Sequence, residues 1–150
     1  MTRHICETFD GVNLLEAFDD GFFIYDPHRD LPPERQMPFA TIVTGDHYDS
    51  VSRLDEPGTY RLNIGLTKAT YTTMFGRAPT DRDERGAWMT GLDYAARDVV
   101  MPHPEYASQY WVCVVNPSAG SLKAVHELLV EAHAYAARKY ANQQARRGQP

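Results

Sequence analysis

A chain of 150 residues is long enough to bury a sizeable core and short enough to form one domain. Its formal net charge of −5 excludes an overall positive field, and with it non-specific attraction to nucleic acid or to an anionic membrane. The composition, 43% hydrophobic and 23% charged, is that of a globular protein, and no run reaches the ~20 apolar residues that cross a bilayer.

Residues 2 to 9 fit a short helix closed by Asp10-Gly11. Val12 to Phe18 and Phe22 to Tyr25 read as strands, with a hairpin turn at Asp19-Asp20-Gly21. The connection Asp26 to Pro38 carries Pro27, Pro32, Pro33 and Pro38, which exclude regular structure and stiffen the chain. Phe39 to Thr44 is an apolar strand. A polar loop follows, and Pro57-Gly58 turns it into a second strand, Tyr60 to Leu66. That strand alternates Tyr60, Leu62, Ile64 and Leu66 with Arg61, Asn63 and Gly65, so one face covers a core and the other carries polar groups. Thr67 is placed to cap a helix from Lys68 to Phe75, with Gly76 as its stop.

Residues 76 to 91 form a polar surface loop, and Leu92 to Met101 fits either a short helix or an extended edge. Met101-Pro102-His103-Pro104 must be extended, because a residue before proline is driven out of the α region. Gln109 to Val115, with its unbroken apolar run from Tyr110 to Val115, reads as a central strand that buries Trp111 and Cys113. Cys113 is then a buried free thiol. With no apolar signal segment, a reducing cytoplasm is the expected compartment. Leu122, Val125, Leu129, Ala132 and Ala136 recur at helical steps and predict an amphipathic helix over 120–140, capped by Ser118 or Ser121. The tail 141–150 is polar and expected to fray. Strands outnumber helices and most connections are too short for parallel crossovers. The expected architecture is therefore one α+β domain over 1–150, a mainly antiparallel sheet with the C-terminal helix on one face.

The segments FFIYDPHRDLPPERQMPFATIVTGDHYDSVSRLDEPGTYRLNIG and MPHPEYASQYWVCVVNPS resemble an uncharacterised family common in actinomycete-type bacteria. More distantly, YRLNIGLTKATYTTMFG, the strand bearing Trp111 and Val112, and the helix passing through Ala132-His133-Ala134-Tyr135 are similar to MmcQ/YjbR-like proteins. That likeness implies a compact α+β fold and a role as a nucleic-acid-binding or regulatory adaptor. Where such proteins tend to place Lys or Arg before the tryptophan, this chain has Ala107-Ser108-Gln109-Tyr110, which argues against nucleic acid as a partner.

The residues suited to chemistry concentrate in few places. Asp46-His47-Tyr48-Asp49 gathers two carboxylates, an imidazole and a phenol, able to converge on a proton-transfer site or to act as a polar turn whose Asp side chains bond backbone amides. The spacing matches no metal signature, and no cofactor motif is present. His103 is held between two prolines, which suits a preorganised base or a loop brace. Arg61 and Asn63 share a strand face and could grip a carboxylate or phosphate. The bland alternative is a solvated face with an ion pair to Asp46 or Asp49.

Trp111, Phe22, Phe23 and Tyr25 read as core, and His126 and His133 as surface. The favoured function is small-molecule binding or cofactor-independent catalysis on the open sheet face. Arg61 and Asn63 would be at its centre, with Asp46, Tyr48, Asp49 and Tyr106 at the rim and His103 or His47 moving protons. The ligand would be small and anionic or aromatic. A protein-interaction module and a homodimer remain open alternatives.

Overall fold

Strand β4 (Arg61–Gly65) lies inside a six-stranded sheet, and its alternation sets the two sides of the molecule. The computed structural model describes residues 1–148. The strands are β1 (Val12–Ala17), β2 (Asp20–Tyr25), β3 (Ala40–Val43), β4, β5 (Met101–Pro102) and β6 (Trp111–Val115). Their spatial order is β1-β2-β3-β4-β6-β5, with every pairing antiparallel. Among the described residues three helices complete the fold: α1 (Thr2–Thr8), α2 (Lys68–Phe75) and α3 (Leu122–Arg147). Short 3-10 turns cover Pro33–Arg35 and Ala107–Gln109.

Leu62 and Ile64 of β4 point to the helix side, as the alternation requires. They join Ala40, Ile42, Phe23, Val112 and Val114 from neighbouring strands against Val125, Leu129 and Ala132 of α3. Ile5 and Phe9 close the same core beside α1, and Tyr71 of α2 enters it. The fold is thus α+β with α3 on one face of the sheet. Arg61 and Asn63 face the other way, beside Val43, Thr41, Val115 and Cys113 in register.

The second face is partly roofed by loops. Val51 and Leu54 come from the loop after β3, and Ala87 and Tyr94 from the long connection after α2. They cover Met101, Cys113, Val43 and Val115. Burial pushes the Cys113 thiol up to about 12, so it stays a protonated apolar filler. The long connection also touches the sheet through an Arg97–Val115 bridge and ends in the edge strand β5, so the extended-edge reading of Leu92 to Met101 holds at its end, and no helix forms there.

Four local expectations are corrected. The hairpin turn is Phe18-Asp19, with φ of 53° and 66°, rather than the Asp-Gly pair. Two left-handed residues match the twist of the flanking strands, and Asp20 and Gly21 are drawn into the ladder. Strand β6 begins at Trp111, because the 3-10 turn and a left-handed Tyr110 (φ 69°) precede it. Trp111 itself is half-buried, not core. The helix runs on through Arg147, so most of the expected frayed tail is helical, while residues 149–150 lie outside the described range.

His133 is also no surface residue. It is half-buried, its ring lies 5.1 Å from that of Phe9 and 5.4 Å from that of Tyr25, and its Nε2 bonds the Asp10 carbonyl at 2.7 Å. Ser121 stands at the head of α3, but the acceptor there is Asp98 (φ 60°), which takes N–H bonds from Ser118, Gly120 and Ser121 and the Ser121 hydroxyl at 2.6 Å. Among the described residues no helix is long and apolar enough to cross a membrane.

Candidate functional site

Between the roofing loops and the hairpin β1–β2, the polar face of β4 stays open as a cleft of about 540 Å³. Arg61, Asn63 and Thr41 line it from adjacent strands, and His103 enters from the segment after β5. Phe22, Val43 and Trp111 contribute apolar wall, and Tyr48 and Tyr106, both about half exposed, stand at its mouth. Asp49, Glu105, Gln109, Met37 and Pro38 complete the lining.

Arg61 is 1% exposed, so the bland alternative of a solvated face fails, while the ion pair to Asp49 that it named is present with the guanidinium buried. Its charge is met by Asp49, which accepts from Nη1 at 3.1 Å and from Nη2 at 3.0 Å, a bidentate fork. Nη1 also donates to Ser52 Oγ at 2.9 Å, and Nε to Asn63 Oδ1 at 3.0 Å. Asn63 in turn donates from Nδ2 to Thr41 Oγ1 at 2.9 Å. The chain of bonds ties together five strand and loop side chains, Arg61, Asn63, Thr41, Asp49 and Ser52. A guanidinium carries five N–H donors and a carboxamide two. One N–H of Arg61 Nη2 and one of Asn63 Nδ2 are left without a protein partner among the described residues.

His103 is 3% exposed. Its Nδ1 accepts the backbone N–H groups of Glu105 and Tyr106, each at 3.0 Å, because the flanking prolines curl the chain back over the ring. Burial, and next the Arg61 charge, hold its pKa well below the ordinary histidine value. The ring is neutral at physiological pH. With Nδ1 committed as acceptor, its one proton sits on Nε2. The Tyr106 ring lies 5.0 Å from it.

The tetrad 46–49 does not converge. Asp46 turns into its own loop, its carboxylate accepting the Leu54 N–H at 2.8 Å while its N–H bonds Asp55. His47 leaves the cleft for buried Asp20, with Nε2 at 2.5 Å from Oδ2. Asp20 also accepts the Thr44 N–H at 2.9 Å, so the pair pins the loop to the head of β2. Only Tyr48 and Asp49 reach the cleft, and Asp46 and His47 do not. Among the described residues no cluster of three His, Cys, Asp or Glu side chains is placed to hold a metal ion.

The sequence reading missed Trp111, Phe22 and Ser52. A signal for Trp111 existed. Gly65 pairs with it across β4 and β6, and a Cβ at Gly65 would stand 2.9 Å from the indole. Glycine opposite a tryptophan leaves room for the ring to lie across the neighbouring strand toward the cleft. Ser52 carried no such signal, since its role depends on how the loop folds back.

Neither the curated proteins nor the solved structures contain a match to this chain. A family model does match, over residues 1–145, and through it the chain belongs to a family of unknown function, DUF6194.

Proposed function

We propose that the cleft binds a small, planar, uncharged organic molecule through its carbonyl or ring-nitrogen acceptors. One observation carries this reading: three fixed N–H donors without protein partners belong to residues lining one cavity, beside the aromatic and apolar wall of Phe22, Val43, Tyr106 and Trp111. They are the remaining N–H groups of Arg61 Nη2 and Asn63 Nδ2, and Nε2–H of His103. Few convergent polar groups in a mostly apolar cleft of ~300–1,000 Å³ are the usual make-up of a small-molecule site.

Charge narrows the ligand. Asp49 neutralises Arg61 and His103 is neutral, so the floor has no free positive charge for an anion. Of the anionic or aromatic molecule suggested by the sequence, the site favours the aromatic one. Trp111, Phe22 and Tyr106 supply faces for stacking.

The reading is binding rather than proton transfer. His47 is engaged with Asp20 outside the cleft, and His103 would have to become an imidazolium in a desolvated site to accept a proton. An NMR screen of planar fragments tests this. Neutral carbonyl-bearing fragments should shift the Trp111 indole N–H and the His103 side-chain signals. Fragments that shift only other surfaces, or a preference for carboxylates over their amides, would overturn it.

A further inference from the structure

A second cavity, about 230 Å³, lies on the helix side of the sheet, between the 3-10 turn at Pro33–Arg35 and the C-terminal half of α3. Its wall is Tyr25, Leu31, Phe39 and Ala136, and it holds Arg35, Glu34 and Lys139. Arg35 is the anomaly. Its Nη1 is sealed from solvent and has no hydrogen-bond partner, and its guanidinium makes no ion pair among the described residues. A guanidinium with an unpaired buried N–H is costly, and an oxyanion held by its remaining N–H groups on the cavity side would offset the charge. Lys139, exposed at the same cavity, has its ammonium 4.4 Å from the Tyr135 ring centroid and no carboxylate partner among the described residues. The lining carries these two cations and the Glu34 carboxylate, with Asp26 and Asp30 near enough to act on Tyr140 at the cavity's far wall. The contrast with the cleft is chemical, since the cleft's one guanidinium is already matched by Asp49.

We propose that this cavity binds a small organic oxyanion, a carboxylate or phosphate monoester, with its head on Arg35 and Lys139 and a short apolar body against Tyr25, Leu31 and Phe39. Met37 and Pro38 line both cavities, so the two sites share one loop as a wall.

The test is a titration of the whole protein at constant ionic strength, read by amide shifts, with phenyl phosphate, inorganic phosphate and phenol as probes. Phenyl phosphate should shift amides in 31–39 and 136–143 and bind more tightly than inorganic phosphate. Phenol should bind least. Arg35→Gln should weaken phenyl phosphate by roughly tenfold, about what one charge-assisted hydrogen bond contributes, and Arg35→Lys by less. Shifts confined to other surfaces, equal binding of phenol, or an unchanged affinity in Arg35→Gln would overturn the proposal. The wild-type shift map reads the site even if a variant fails to fold.

Discussion

Arg61 decides how the site responds to mutation. From the sequence, replacing it by alanine should leave the fold intact, with a melting shift of a few degrees. Its burial and its fork to Asp49 reverse that expectation. Arg61→Ala strands a carboxylate in a largely desolvated loop, and breaking such a pair costs ~3–5 kcal/mol. The double variant Arg61→Met with Asp49→Leu should recover a good part of the loss. Urea unfolding of the three proteins checks this, and a single variant as stable as wild type would contradict it.

His103 makes a second prediction at the same scale. The folded protein keeps the ring neutral while the unfolded chain protonates near pH 6.5. The unfolded state therefore binds more protons below that pH, and stability falls as pH drops through ~6.5. His103→Asn, whose side-chain oxygen can still accept the Glu105 and Tyr106 amides, should flatten that part of the stability–pH curve. An unchanged slope would place the titration elsewhere. The polar face of β4 was legible at this scale, because alternation alone separates Arg61 and Asn63 from Leu62 and Ile64. Their buried state was not legible, because it depends on loops that the local pattern does not place.

Among the elements, α3 begins where another segment reaches it. Asp98 holds the N–H groups of Ser118, Gly120 and Ser121, and the hydroxyl and amide bonds to its carboxylate lower its pKa to about 2. A carboxylate with a depressed folded pKa stabilises above its unfolded value. That contribution is present above pH ~3.8 and lost as pH falls toward 2. Asp98→Ala should lower the melting temperature at pH 7 and remove this acid-linked loss. Gly120→Ala should also destabilise, since the added Cβ would lie 2.5 Å from Asp98 Oδ2.

The hairpin offers the opposite sign. Phe18-Asp19 occupies a turn with two positive φ angles, and Phe18 is 86% exposed. Replacing the pair by Asn-Gly should raise stability by roughly 0.5–1 kcal/mol, visible in thermal melts. The element sequence was largely readable from periodicity and turn residues. The Asp-Gly pair misled because Gly21 belongs to the ladder opposite Glu16. The Ser121 cap misled because its acceptor is 23 residues away.

At the scale of the whole molecule, the α+β arrangement follows from short connections and one amphipathic helix, both visible in sequence. The cleft was only half visible. The face was predicted, but the loops that roof part of it and leave the remainder open are irregular, and irregular backbone has no period to read. The net charge of −5 gives an expectation for the whole surface: no appreciable binding to duplex DNA at physiological salt. Salt-dependent binding in the low micromolar range by fluorescence anisotropy would contradict it.

The central claim is that the donors of Arg61, Asn63 and His103 act together on one ligand. A crystal structure of the protein with the tightest-binding neutral fragment tests it most directly. The predicted result is a ring stacked near Trp111 or Tyr106, with its acceptor within hydrogen-bond distance of Arg61 Nη2, Asn63 Nδ2 or His103 Nε2. A fragment seated outside the cleft, or inside it without touching any of the three, would contradict the account.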